Sequence, residues 1–115
     1  MSTKCRDDLV KEALDSIRSA LAEYLKASCR RSLTMVTLTG QKRLRIDFYG
    51  LYSYYKGTEN FPRFEDAYGY ATQCVGLATV SQLLEGAISE GGESGHQLVL
   101  SIEKFESMCK EVLKQ

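Results

Sequence analysis

Side chains that could carry out acid–base or nucleophilic chemistry are few in this sequence and widely spaced. His96 is the only histidine, so acid–base chemistry near neutral pH would fall to it first. No Ser-His-Asp order can be assembled from local motifs, and neither Cys74 nor Cys109 is surrounded by a recognised nucleophile signature. We therefore name no catalytic residue and favour a non-enzymatic protein, with an enzyme or small-ligand binder near His96 left open.

The glycine-rich segment 90–95 does not fit a phosphate-binding loop. That motif needs a lysine after its last glycine, whereas this segment holds two carboxylates, Glu90 and Glu93, which repel phosphate. Two carboxylates are also too few ligands for a dedicated divalent-metal site. The sequence therefore predicts no metal centre and no cofactor.

The four cysteines lack the spacing of common metal and thiol-redox motifs, because no CxxC pair occurs. They are Cys5, Cys29, Cys74 and Cys109. Disulfide frameworks are typical of shorter, more cysteine-rich secreted chains. The N-terminus lacks the apolar run of a signal peptide, and every apolar stretch falls well short of the about 18 residues of a membrane span. We therefore expect reduced, mostly buried thiols in a soluble, cytoplasmic protein with no membrane partner.

Charge is balanced over the whole chain but divided between its halves. Residues 1–57 hold eleven Lys/Arg against six Asp/Glu, a net of +5, and residues 58–115 hold four against nine, a net of −5. The basic residues concentrate in a stretch without an acidic residue: Lys26, Arg30, Arg31, Lys42, Arg43 and Arg45. Such a stretch favours contact with the phosphates of a nucleic acid, or with the acidic half of a second copy.

Aromatic residues are concentrated in the middle of the chain, where nine of the eleven lie between Phe48 and Tyr70. Strand alternation directs about half of such side chains outward, so a core cannot easily hide all of these rings. Grouped exposed tyrosines suit a recognition surface, because they bury a large area at low entropic cost. We predict an interaction surface made of Tyr49, Tyr52, Tyr54, Tyr55, Phe61 and Tyr68. The alternative is that these rings cover the edge of a sheet and the start of a helix.

An N-terminal helix and a β-hairpin must position these residues. Apolar residues recur at three- and four-residue spacing within residues 6–28, which predicts an amphipathic helix. Two β-branched, alternating segments, Leu33–Thr39 and Lys42–Tyr49, then flank the dipeptide Gly40-Gln41, which is typical of a hairpin loop. In that register the second strand directs its leucine and isoleucine to the core and its two arginines to solvent.

The segment after the hairpin predicts further secondary structure. Leu51–Tyr55 fits a third strand or a helix, and the β-preference of tyrosine favours the strand. Asn60 is a suitable cap for a long buried helix from Pro62 to Ile88, which is apolar or small on nearly every side. Glycines and alanines on this helix predict close packing, either against the hairpin or across a homodimer seam.

The C-terminal part predicts a short strand over residues 96–102 and a final helix from Ile102 to Lys114 that Ser101 caps. The whole chain, residues 1–115, is therefore expected to be one α+β domain. Its layout is an N-terminal helix, an antiparallel β-hairpin or three-stranded sheet, a long buried helix and a C-terminal helix.

The order of elements over residues 6–88 resembles the layout of double-stranded-RNA-binding domains. Those domains carry a lysine cluster at the start of their last helix, whereas residues 62–66 read Pro-Arg-Phe-Glu-Asp here, so the main phosphate contacts are missing. Our leading hypothesis is therefore a small interaction module that self-associates through its aromatic segment and its small-residue helix. Nucleic-acid binding through the basic residues is the second hypothesis, and a ligand binder or enzyme with a tyrosine-lined pocket is the third.

Overall fold

The N-terminal helix sets the length of the molecule. In the computed structural model, which describes residues 5–91 and 94–114, helix α1 covers Asp7–Thr39. Its 33 residues, at about 1.5 Å each, account for the 50 Å long axis of the molecule. None of the helices within those residues is long and apolar enough to cross a membrane.

The rest of the chain packs along this helix as a small sheet and four shorter helices in the described residues. These elements are β1 (Arg43–Asp47), α2 (Phe48–Tyr54), α3 (Phe64–Val75), α4 (Leu77–Leu83), β2 (Ala87–Glu90), β3 (His96–Ser101) and α5 (Ile102–Leu113). The strands form an antiparallel sheet in the order β1-β3-β2. The predicted α+β class is therefore confirmed, with its N-terminal helix, three-stranded sheet and C-terminal helix.

One face of the sheet closes a continuous apolar core. Ile46 of β1 and Leu98 of β3 lie opposite each other and point into this core, which also contains Ile17 of α1 and Phe105 of α5. The other face carries exposed and half-buried residues of all three strands. This one-sided burial is what an antiparallel sheet with alternating side chains allows.

The predicted hairpin is wrong in its first strand. Residues 33–39 continue α1, and Gly40, at a φ of 68°, ends this helix instead of forming a hairpin loop. Extending an existing helix needs no new nucleus, and β-branched residues lower helix propensity by only about 0.7 kcal/mol or less each. The hydroxyl of Thr34 also donates to the Arg30 carbonyl at 3.0 Å, which keeps this threonine satisfied within the helix.

The second strand of that hairpin is present, but its partner is β3. Arg45 lies opposite Val99, and the inward and outward directions predicted for this strand are confirmed. Leu44 and Ile46 pack on the core, while Arg43 and Arg45 are exposed. The alternation of side chains along a strand does not depend on which strand lies alongside. The predicted directions are therefore correct although the predicted partner strand is not.

The segment predicted as a third strand is the helix α2, the alternative that the sequence left open. The Asp47 carboxylate accepts from the Tyr49 amide at 3.0 Å and caps the helix. Gly50 allows α2 to approach α1 closely, because a Cβ there would lie 2.8 Å from Cε2 of Tyr24. The cap and this close approach outweigh the β-preference of the tyrosines.

The long second helix is divided and shorter than predicted. Gly76, at a φ of 89°, separates α3 from α4, and the residues that follow Gly86 form β2 instead of helix. The predicted cap, Asn60, lies outside the helix, which begins after Arg63 without a side-chain cap. At the C-terminus the prediction is confirmed, since the Ser101 hydroxyl accepts from the Lys104 amide at the start of α5.

Two disulfide bonds contradict the predicted reduced thiols. Cys5 is bonded to Cys74 in α3, and Cys29 in α1 is bonded to Cys109 in α5. The second bond is buried, whereas Cys5 is exposed. The partners are 69 and 80 residues apart in sequence, so only the folded arrangement of the helices brings them together.

Candidate interaction surface

Helix α2 is fixed to the core by a cluster of aromatic rings. The buried ring of Phe48 lies 5.5 Å from that of Phe64 and 5.2 Å from that of Tyr68, both in edge-to-face geometry. Leu51, one turn further along α2, is fully buried. Each edge-to-face pair contributes about 1 kcal/mol of stabilisation beyond that from the area it buries. The inner side of α2 is therefore fixed to the core, which also fixes the position of the side chains on its outer side.

The outer side of α2 presents tyrosines to solvent. Tyr49 is 50% exposed and Tyr54 is 38% exposed. The ring of Tyr52, half-buried, lies 5.6 Å from Tyr49 in edge-to-face geometry, and Tyr24 of α1 lies 6.0 Å from Tyr54 in the same way. These are two separate pairs on the flanks of α2, because Tyr49 and Tyr54 are five residues apart and point about 140° apart around the helix. We call both pairs together the tyrosine surface: Tyr24, Tyr49, Tyr52 and Tyr54.

Three residues of the predicted interaction surface lie beneath or beside the tyrosine surface. The Tyr55 hydroxyl donates to the Phe61 carbonyl at 2.6 Å and lies 3.3 Å from the Ser16 hydroxyl, so it ties α2 to α1. Phe61 is only 6% exposed and packs on Tyr70, which leaves little of its ring for a partner. Tyr68, half-buried, supports Phe48 from below.

Tyr24 was not among the predicted surface residues. Its position in the apolar repeat of α1 indicates a core residue, and it is in fact half-buried against the core. Its ring is placed at the surface of α2 by Gly50, a contact that no periodicity in the sequence signals.

Carboxylates give one side of the tyrosine surface a negative potential. Burial is the main reason that the pKa of Tyr52 is raised, and Glu65, Tyr49 and Asp47 raise it further. Burial likewise raises the pKa of Tyr68, with a smaller contribution from Tyr52. These phenols therefore stay protonated near neutral pH and can donate hydrogen bonds to a partner.

The six basic residues predicted for nucleic-acid contact are all exposed, but they lie on separate elements. Lys26, Arg30 and Arg31 lie on α1, where Lys26 is 3.4 Å from the Glu23 carboxylate. Lys42, Arg43 and Arg45 lie at and within β1. Within residues 5–91 and 94–114, neither Arg43 nor Arg45 forms an ion pair.

His96 joins the aromatic cluster at the start of the central strand, β3. Its ring stacks on Phe48 with centroids 5.7 Å apart and lies 5.9 Å from Tyr68. A groove between α1, α4 and α5 lies elsewhere in the described part of the chain, and no tyrosine lines it. No group of three or more potential metal ligands occurs in that part either, and Glu93 lies outside it. The third hypothesis thus gains a histidine among aromatic rings, but the groove between α1, α4 and α5 is not the tyrosine-lined pocket that it predicts.

A second carboxylate, that of Glu12, fixes the loop that follows α2. It accepts hydrogen bonds from the Thr58 hydroxyl and from the backbone and side-chain nitrogens of Asn60, at 3.3 and 3.0 Å for the latter two. This loop leads to Phe64, which supports Phe48 and Tyr52. The Asp47 cap therefore fixes the start of α2, and the loop bound by Glu12 fixes its end, so both stabilise the tyrosine surface.

Comparison of the chain with protein-family models, with curated proteins and with solved structures finds no match. Function is therefore inferred from the surface of this chain alone.

Proposed function

We propose that this protein is a non-enzymatic interaction module that self-associates through the tyrosine surface. The observation that carries the proposal is the group of exposed rings, Tyr49 and Tyr54 above all, on a helix whose other side is anchored in the core. Anchored rings lose little conformational freedom when a partner covers them, so most of the buried area contributes to affinity.

A second copy is the partner that the chemistry of the surface favours. Exposed arginines of β1 precede α2 along the chain, and the carboxylates of Asp47 and Glu65 lie near Tyr52, so the surface around α2 contains residues of both charges. An interface around a two-fold axis must be complementary to itself, and a surface with aromatic rings between opposite charges meets that condition.

The small-residue helix plays no part in this proposal. Ala67 and Ala71 of α3 are fully buried and belong to the same core as Ala13 and Ile17 of α1. Their face of the helix is therefore occupied within the chain. The proposal therefore places the contact on the tyrosine surface.

The proposal is tested by light scattering coupled to size-exclusion chromatography over a series of concentrations. We expect a dimer whose dissociation constant rises about 30-fold or more in the Tyr49→Ala/Tyr54→Ala variant, because an aromatic hot spot contributes about 2 kcal/mol. Leu77→Ala is the matched control, since Leu77 is 48% exposed but lies on α4. A wild-type protein that is monomeric at every concentration contradicts the proposal.

Nucleic-acid binding remains the second candidate, favoured by the outward-facing guanidiniums of Arg43 and Arg45. Electrophoretic shift at two salt concentrations tests it. The Arg43→Ala/Arg45→Ala variant should bind more weakly and with a salt slope reduced by about two, because two phosphate contacts are lost. Lys110→Ala/Lys114→Ala removes the same charge from α5 and serves as control. Absence of salt-sensitive binding by the wild-type protein contradicts this candidate.

The disulfide bonds also change the expected compartment. The cytoplasmic expectation went together with reduced thiols, and that part of its support is lost because both cysteine pairs are oxidised. We propose that the protein works in an oxidising compartment, or in the cytoplasm of an organism that keeps intracellular disulfides. Trapping the thiols with an alkylating reagent at the moment of cell lysis tests this, and free thiols at all four positions contradict it.

A further inference from the structure

The outer face of β1 places charges in a fixed order beside the tyrosine surface. Arg43, Arg45 and Asp47 all point away from the core, with successive Cα atoms about 6.6 Å apart along the strand. Asp47 then caps α2 through the Tyr49 amide. Two positive charges and then the Asp47 carboxylate therefore precede the tyrosines of α2 along one continuous stretch of backbone.

Arg45, the arginine that is closest to the tyrosines of α2 in sequence, forms no ion pair in the described part of the chain. Arg45 lies opposite Val99 of β3, and Val99 lies opposite Ala87 of β2, so its cross-strand neighbours are apolar. The side chain is exposed and forms none of the intramolecular ion pairs in those residues. Its five donors are thus available to a second molecule.

The far side of the tyrosine surface has the complementary chemistry. Glu65, in the first turn of α3, is exposed and close enough to Tyr52 to act on its hydroxyl, yet it forms no ion pair within the described residues. The nearby Arg63 pairs with Asp66 instead, at 3.4 Å. A carboxylate beside tyrosine rings suits a guanidinium, which can stack on a ring and pair with the carboxylate at once.

We propose that Arg45 of each copy stacks on Tyr49 and Tyr52 of the other and pairs with its Glu65, around a two-fold axis. This inference rests on the self-association proposed above and names the contacts that make it specific. A two-fold axis forms each contact twice, so the interface contains two arginine–glutamate pairs. Arginine rather than lysine is the fitting residue, because only a planar guanidinium both stacks and pairs in a bidentate way.

A charge-swap experiment tests these contacts. In Arg45→Glu both pairs become glutamate–glutamate, and in Glu65→Arg both become arginine–arginine, so each variant alone should dimerise about tenfold more weakly or worse. When the two variants are mixed in equal amounts, a heterodimer of one copy of each again has two arginine–glutamate pairs. We expect the mixture to form heterodimers with an affinity within a few-fold of the wild-type protein, measured by native mass spectrometry and light scattering.

The control applies the same swap to a charge pair away from the tyrosine surface. Lys104 and Glu85 pair within the chain at 3.2 Å, and Lys104→Glu and Glu85→Lys, each made as a separate variant, should leave dimerisation unchanged. Arg45→Gln provides a variant without like-charge repulsion, which should weaken the dimer less than Arg45→Glu. Circular dichroism checks that every variant is folded.

The outcomes separate the two proposals. If the wild-type protein dimerises but the mixture of Arg45→Glu and Glu65→Arg stays as weak as either variant, the pairing is wrong while self-association stands. If the Lys104 and Glu85 variants disrupt the dimer equally, the effect is one of net charge, and the pairing is again wrong. If the wild-type protein is monomeric throughout, both proposals are overturned.

Discussion

The Glu12 carboxylate is the residue that connects α1 to the loop between α2 and α3. Hydrogen bonds from Thr58 and Asn60 favour its ionised form, and they lower its pKa against the smaller opposing effects of burial and of Asp8. Protonation removes the negative charge and places a hydrogen on one of the two oxygens that accept from three donors, so these hydrogen bonds weaken in acid.

We expect Glu12→Gln to reduce stability at neutral pH but not in acid. Because the folded-state pKa lies below the unfolded value of about 4.5, the carboxylate contributes stability above that value and loses it as the pH falls through the folded-state pKa. Thermal unfolding from pH 3 to 7 should show wild type and variant converging towards the acid end. Glu59→Gln, in the same loop but outside these contacts, should match the wild-type protein throughout. A difference that persists unchanged at pH 3 would contradict the argument.

Glu85 has a backbone conformation that favours glycine. Its φ of 59° places it in the left-handed region at the end of α4, where the Gly86 amide donates to the Ser81 carbonyl. Glycine relieves the clash of a Cβ in this position. The pair that Glu85 forms with Lys104 is exposed and contributes little.

Glu85→Gly should therefore stabilise the protein by up to about 1 kcal/mol. Equilibrium unfolding in urea measures this change. Glu85→Ala is the informative comparison, because it removes the same ion pair but keeps the Cβ. A glycine variant no more stable than the alanine variant contradicts the explanation.

At the scale of elements, two glycines that look alike in sequence have opposite surroundings. A Cβ at Gly86 would lie 2.7 Å from the Val99 carbonyl oxygen and closer still to the Leu100 side chain, so β2 and β3 require a glycine there. A Cβ at Gly69, on the exposed side of α3, meets nothing within 4 Å. The sequence pattern had suggested close approach at Gly69, and in this chain no atom makes that approach among the described residues.

We expect Gly86→Ala to destabilise the protein by about 1–3 kcal/mol through overpacking. Gly69→Ala should instead stabilise it by about 1 kcal/mol, because alanine is the better helix former. Urea unfolding of both variants measures the two changes, and the opposite signs make each the control of the other. If both substitutions change the free energy of unfolding by the same amount and in the same direction, the explanation from the surroundings of these glycines is wrong.

The elements also show which parts of the fold and site local sequence can determine. Alternation along β1 set the directions of Arg45 and Ile46 correctly, since it depends only on neighbouring residues. The partner strand was wrong because β3 begins at His96, far along the chain, and nothing near residue 45 encodes that distance. Tyr49 and Tyr54 were predicted at the surface and are exposed there, whereas Tyr24 was missed because its position depends on a contact between two helices.

At the scale of the whole molecule, two disulfide bonds connect α1 to the helices packed against it. Each closes a long loop, with partners 69 and 80 residues apart. Loops of that length are associated with about 4 kcal/mol of stabilisation in the chain-entropy account. The two disulfide bonds differ in their access to solvent, since Cys5 is exposed while Cys29 and Cys109 are buried.

Reduction under native conditions should therefore open Cys5–Cys74 first. Thiolate attack needs access to a sulfur atom, which the core denies to Cys29–Cys109. Alkylation followed by peptide mass spectrometry, sampled during mild dithiothreitol treatment, identifies the order. Labelling of Cys29 and Cys109 before Cys5 and Cys74 would show that the core opens more readily than the surface bond. In denaturant both bonds should be reduced at similar rates.

The two bonds interleave along the chain, because Cys29 lies inside the loop closed by Cys5–Cys74 and Cys109 lies outside it. A single cut by a protease anywhere between Cys5 and Cys109 therefore leaves both fragments covalently attached. Between Cys29 and Cys74, which includes the whole of α2, the fragments are joined twice. In denaturing electrophoresis a cleaved molecule would then migrate as an intact chain until a reductant is added. In the folded protein the tyrosine surface would keep its position after a cleavage that would separate the fragments of a domain without disulfide bonds.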